Sequence, residues 1–359
     1  MEQGFCFLEG PVNGFGLLLS LICLSLSGRM SSNKSSHIPV IDLLRGVAAS
    51  AVCLFHFICK TKAFITGPFI LLIFGYGHYG VQLFFVISGM VIPLSMIKGH
   101  YEYKSFPRFL WKRFLRIEPP YLVAVLIGTA YLILRNHIPG TVPIDQTPSL
   151  RAFLLHIGYL IPFYDSNAWI SPVFWTLAIE FQYYLLLALL FPLVLSPSVL
   201  ARSIFYVVFL AGPFFGLSGE FLPVWMPLFL SGILYILWYA GKIKAIEYWL
   251  LTIPTLILIY WKIDGPTLVV AIGTIAAVHF FRTFSTAISR FFGDISYSLY
   301  LLHAIVGAAF VNYLSHHAHH AWQKALILLG GIGISILSAY FLNKFVEKPS
   351  QKLSSQVKY

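Results

Sequence analysis

The sequence predicts an all-α, polytopic integral membrane bundle of about ten transmembrane helices. Three observations predict it. Apolar residues make up 58% of 359 and charged residues only 10%, whereas a soluble domain carries about 25% charged residues. So little charge cannot cover a water-facing surface of this size, and a soluble enzyme is excluded. A mean hydropathy of +0.81 excludes disorder, which requires low hydrophobicity. Apolar runs of spanning length recur along nearly the whole chain. No internal repeat, low-complexity linker or soluble appendage interrupts them, so one membrane domain is expected.

In order, the spans read as 39–59, 80–97, 117–135, 172–196, 203–218, 222–240, 245–261, 265–281, 291–314 and 323–346. The stretch 64–76 is apolar but short, bracketed by Gly67, Pro68, Gly75 and Gly77; it reads as an interfacial or re-entrant piece. Residues 149–163, with Arg151 and His156, read as an amphipathic segment on the outer side. The stretch 98–118 is the most basic and reads as an inner loop.

Lys and Arg positions set the orientation. With Ile41 entering from the cytoplasm, 17 basic residues fall inside and 6 outside, leaving Arg45 within the first span. Both termini are then cytoplasmic, in a bacterial inner membrane. The net charge of +11 accordingly marks loops and lipid contact rather than nucleic acid. Residues 14–27 are apolar, but the acidic start MEQ lacks the positive charge a signal peptide needs. Translation is expected to begin at Met30, leaving 1–29 as a poorly fitting extension and 30–359 as the functional domain; the competing reading is a cleaved or weakly inserted extra helix. The four cysteines show no CxxC pair and give no disulfide or zinc argument.

Ionisable groups at membrane depth are costly, and each is a functional-site hypothesis. In the first span Arg45 and His56 are eleven residues apart, 20° past three full turns, so they share a helix face about 16 Å apart along the axis. Asp42, three residues before Arg45, can pair with it. Glu180 in FWTLAIEFQYY lies at a depth comparable with His56 and can orient an imidazole; the alternative is a buried structural carboxylate tied to Gln182, Tyr183 or a neighbouring helix. The ninth span brings Asp294, Tyr297 and His303, a scaffold or a supporting polar network. Ser88 and Gly89 sit mid-span, the serine able to hydrogen-bond a guest group or simply a backbone carbonyl and the glycine allowing close helix approach. Arg113 and Arg116, three apart on the basic stretch, suit phosphate through bidentate contacts, or anionic lipid. HHAHH at 316–320 reads as a solvated loop, and no metal site is expected.

The sequence resembles membrane-bound acyltransferase family 3. VIDLLRGVAASAVCLFH carries the family's basic residue, ten residues, then histidine, at Arg45 and His56. GVQLFFVISG, the RxxR of Arg113 and Arg116 followed by Pro119 and Tyr121, FWTLAIE, GDISYSLYLLH and FVEKP continue the likeness from 39 to 349. It implies O-acyl transfer, usually acetyl, from a cytoplasmic acyl-coenzyme A to a hydroxyl of a carbohydrate or small hydroxylated acceptor, with no permanently bound cofactor. Within it His56 is the catalytic base or acyl-relay residue and Glu180 its orienter. Arg45, Arg113, Arg116 and Ser88 would hold the acyl donor. The rival class is a transporter or flippase, which often shows inverted repeats and paired broken helices; no such pair is visible here.

Overall fold

The computed structural model describes residues 38–62, 64–135, 137, 149–164 and 168–358. The expected start at Met30 and the extension 1–29 lie outside the described residues. Every regular element described is helical: α1 Val40–Cys59, α2 Pro68–Gly75, α3 Gly80–Lys98, α4 Phe106–Arg135, α5 Leu150–Ile157, α6 Trp175–Val194 and α7 Val199–Ala211. Then follow α8 Leu222–Tyr239, α9 Ala245–Lys262, α10 Gly265–Phe281, α11 Ala287–Leu302, α12 Ala308–Ser315, α13 Ala321–Leu342 and α14 Lys348–Gln356. Among the described residues seven continuous helical segments are long and apolar enough to cross a membrane. The expected spans 203–218, 245–261 and 265–281 correspond to α7, α9 and α10, which stand outside those seven.

Two boundaries differ from the sequence reading. The piece expected at 64–76 is not separate from the next span: α2 runs through a tight 3₁₀ turn at Tyr76–Tyr79 straight into α3. Of the glycines read as breakers, Gly77 serves packing instead, as does Gly80 beyond it. A Cβ on Gly77 would collide with the Ala51 carbonyl, and one on Gly80 with that of Ala48, so they let this helix lie directly on α1. The basic stretch is likewise no loop beyond Ser105, because α4 continues for 30 residues through Pro119 and Pro120. Proline in a membrane helix is tolerated where neighbours satisfy the disturbed backbone, and the Tyr297 hydroxyl donates to the Ile117 carbonyl at 2.7 Å beside the pair.

Two crossings position the site. α11 packs along α1, with Gly46 against Phe292 and Gly293 against the Asp42 backbone. α3 packs along α8, where Gly89 and Gly232 bring the backbones together at Phe229 and Val86. Without a side chain between them, each pair of helices approaches closely enough for van der Waals contact to replace the hydrophobic drive that lipid cannot supply.

α11 and α12 are joined by one π turn, His303–Gly307, and α13 and α14 by another, Asn343–Glu347. Such turns admit one extra residue and re-aim the side chains around them.

Candidate active site

Among the described residues, two of the cavities set into the bundle gather the expected groups. The first, about 100 Å³, is bordered by Arg45, Arg113 and Arg116, by Glu180 and Glu347, and by Ser88, Thr176, Tyr184, Tyr297, Tyr300 and Gln351 among others. The second, about 940 Å³, is bordered by His56, Lys60 and His78 with an aromatic wall that includes Tyr76, Tyr79, Trp175 and Trp225. Val81 and Tyr300 border both.

In the arginine cavity most charges are tied down. Arg113, only 5% exposed, donates to Ser95 Oγ at 2.6 Å, and its guanidinium lies over the rings of Phe109 and Tyr184. Arg45 and Arg113 act on Arg116 as like charges, with Glu347 as an opposing carboxylate. Glu347 accepts from Ser298 at 2.6 Å, Asn343 at 3.0 Å and Gln351 at 2.9 Å, a cradle that the second π turn builds. Glu180 Oε1 accepts from Tyr184 at 2.6 Å and Ser88 at 3.1 Å. The result is a concave surface with three guanidinium groups, that of Arg113 held in place by its neighbours, suited to bidentate capture of phosphate.

In the histidine cavity the hydrogen bonds decide the tautomer. His56 Nδ1 lies 2.9 Å from the Val52 carbonyl, and His303 Nδ1 lies 3.1 Å from that of Leu299. A carbonyl only accepts, so each Nδ1 carries a proton. His303 Nε2 is then a lone pair, 3.2 Å from His56 Nδ1, and shares that N–H with Val52. His56 Nε2 is left with its lone pair on a ring that borders the cavity. His303, fully buried at the first residue of the π turn, can accept more strongly once the His56 ring gains charge. That is the orienting part a carboxylate plays elsewhere.

The expected residues therefore separate into two groups. Arg45, Arg113, Arg116, Ser88, Glu180 and Tyr297 gather at the first cavity, and His56 faces the second with His303 behind it. Glu180 does not reach His56 as an orienter. It bonds Ser88 and Tyr184, and the histidine's partner is His303. Asp42 borders neither cavity and lies at the Gly293 crossing. Asp294 is also outside both: its carboxylate pairs at 3.2 Å with Lys348, both side chains more than half exposed.

Sequence reasoning missed Glu347, Tyr184 and the clasp of Thr176 on Tyr300. It also missed Glu118, 1% exposed, whose Oε2 accepts from Tyr159 at 2.7 Å. Burial and the adjacent Glu118 carboxyl push the Tyr159 phenol well above the usual tyrosine range, so it remains a donor. The carboxylates stood in the quoted motifs or next to them, but their partners come from other helices. Burial likewise holds His156 below the usual histidine range; its Nε2 accepts from the Ile170 N–H at 3.2 Å, tying α5 to the chain ahead of α6.

A family model described as an acyltransferase domain, acyltransferase family 3, matches residues 38–344. The chain belongs to that family. Relatives include two proteins named "Putative O-acetyltransferase" from Staphylococcus aureus, strains COL and MSSA476. They are 26% and 25% identical over 89% of this chain and 58% of their own lengths. A Rhizobium radiobacter protein named "Protein 2 in picA locus" is 31% identical over 36% of this chain and 67% of its own. The chain thus spans somewhat over half the length of the staphylococcal relatives. No solved structure matches this family 3 acyltransferase significantly.

Proposed function

We propose that this acyltransferase is a membrane-bound O-acetyltransferase, moving an acetyl group from acetyl-coenzyme A at the arginine cavity to a hydroxyl at the histidine cavity. One observation carries the reading: a phosphate-type cavity and a histidine-type cavity meet at Val81 and Tyr300. Coenzyme A offers phosphates to Arg45, Arg113 and Arg116, and its thioester points along the wall between the cavities. His56 Nε2 removes the acceptor's hydroxyl proton as oxygen attacks the acyl carbon. The carbon–sulfur bond breaks, and the coenzyme leaves as thiolate, to be protonated on its own side. General-base help of this kind contributes about 10²–10⁴-fold. An aromatic wall interspersed with polar groups such as His78 and Gln82 suits a carbohydrate or a related hydroxylated acceptor. The excess of basic residues on one side supports cytoplasmic termini and donor entry from the cytoplasm in a bacterial inner membrane.

The test is transfer of radiolabel from acetyl-coenzyme A, labelled in its acetyl group, into envelope glycan by membranes carrying the protein. Label should enter with the wild type and not with His56→Ala. Equal labelling by the two overturns the assignment.

A further inference from the structure

The wall between the cavities is thin, and its shared residues are Val81 and Tyr300. Val81 is a short side chain on the rigid body of α3. Tyr300 is different. Its ring stands edge-on to Phe84 at 5.6 Å, and its hydroxyl is held at the tip, 2.9 Å from Thr176 Oγ1 and 3.2 Å from the Val173 carbonyl. Thr176 itself donates to that carbonyl at 3.0 Å. Thr176 borders the arginine cavity and Val173 the histidine cavity, so this clasp straddles the wall. Tyr300 is also three residues ahead of the π turn that carries His303, near the end of the regular part of α11.

We infer that Tyr300, clasped by Thr176, is the movable partition of this enzyme, a positioning residue that separates donor from acceptor and swings aside for the acyl group. The purpose of the partition rests on the acyl-transfer reading above. In that reading a thioester on one side must meet a hydroxyl or His56 on the other, so part of the wall yields at each turnover. Of the two shared residues, Tyr300 alone is held by side-chain hydrogen bonds, which can be exchanged without moving a helix. With the clasp made, the wall keeps water on the histidine side away from the thioester and prevents wasteful hydrolysis.

The test reads the wall directly and uses no acyl donor. A chain with Cys6, Cys23, Cys53 and Cys59 replaced carries Ser88→Cys in the arginine cavity, in liposomes of determined protein orientation. A small membrane-impermeant methanethiosulfonate is added from the His56 side. With Tyr300 present, labelling should be slow. Tyr300→Phe, which keeps the ring and loses the clasp, should label roughly fivefold faster, the weight of one hydrogen bond. Tyr300→Ala should label more than about tenfold faster, since the ring is removed as well. Labelling from the arginine side should be the same in all three and reports intact folding. Equal rates from the His56 side in all three overturn the partition. Failure of acetyl transfer would refute the proposed function and leave this measurement standing.

Discussion

The two cavities are built from opposite materials. The arginine cavity is about 100 Å³, and partners from several helices fix one of its guanidinium groups and both of its carboxylates. Arg113 is held by Ser95, Glu180 by Ser88 and Tyr184, and Glu347 by three donors. The histidine cavity is about nine times roomier, at about 940 Å³, with an aromatic lining, His78, and His56, whose tautomer is set from behind by His303. A preorganised charged site suits a ligand of constant shape, because immobilising its side chains beforehand reduces the cost of binding. A roomy aromatic site suits acceptors that vary. Under the proposed function, this contrast means that donor affinity and chemistry should be separable by mutation.

The largest effect tests the chemistry. His56→Ala should lower transfer by about 10²–10⁴-fold while binding of the acyl donor, measured by equilibrium dialysis, stays near wild type. Loss of donor binding in that variant would break the comparison. Next, Arg116→Ala should raise the KM for acetyl-coenzyme A by roughly tenfold or more, the worth of a charge-assisted hydrogen bond, with kcat little changed. A fall confined to kcat would place Arg116 with the chemistry instead.

His303→Leu removes the acceptor behind His56 and should lower kcat by roughly fivefold, leaving the donor KM unaltered. His303→Gln, whose amide oxygen can accept the same N–H, should recover most of that loss. If both variants behave alike, His303 is packing rather than orienting.

The smallest effect concerns stability. His156 is held neutral in the folded state, below the ordinary histidine pKa of about 6.5. Its contribution is complete above that value and is lost as pH falls below it, because the unfolded chain then takes up the proton. Thermal unfolding in detergent should therefore drop between about pH 7 and pH 5, and His156→Gln should flatten part of that drop. An unchanged slope would remove His156 from the account.

Much of this organisation was legible in the sequence. Long apolar runs marked most of the bundle, and intramembrane cost singled out Arg45, His56 and Glu180. The three-residue spacing of Arg113 and Arg116 placed them together. Tertiary pairing was not legible. His56 and His303 are 247 residues apart, and Glu180 shows its preference for Ser88 and Tyr184 only once α3 and α6 are side by side. Local rules also misled where the surroundings overrode them. Gly77 looked like a breaker but serves close packing, and the stretch 98–118 looked like a loop but from Phe106 onward lies within α4. Asp294 was read into the polar network of the ninth span but lies on an exposed face of α11, paired with Lys348.

The two π turns have a consequence for lineage. Each holds one residue more than an α-helix of the same rise, so the segments before and after it are out of phase by about 100°. Removing that residue would restore a regular helix and rotate everything beyond it, turning His303 from His56 or Glu347 from its three donors. A chain that drifted by one residue at either place would keep its hydropathy and its span length while losing its site. Gaps in related sequences should therefore be scarce at 303–307 and 343–347 wherever acyl transfer is retained, and a single-residue deletion there should mark a relative that still inserts but has stopped catalysing.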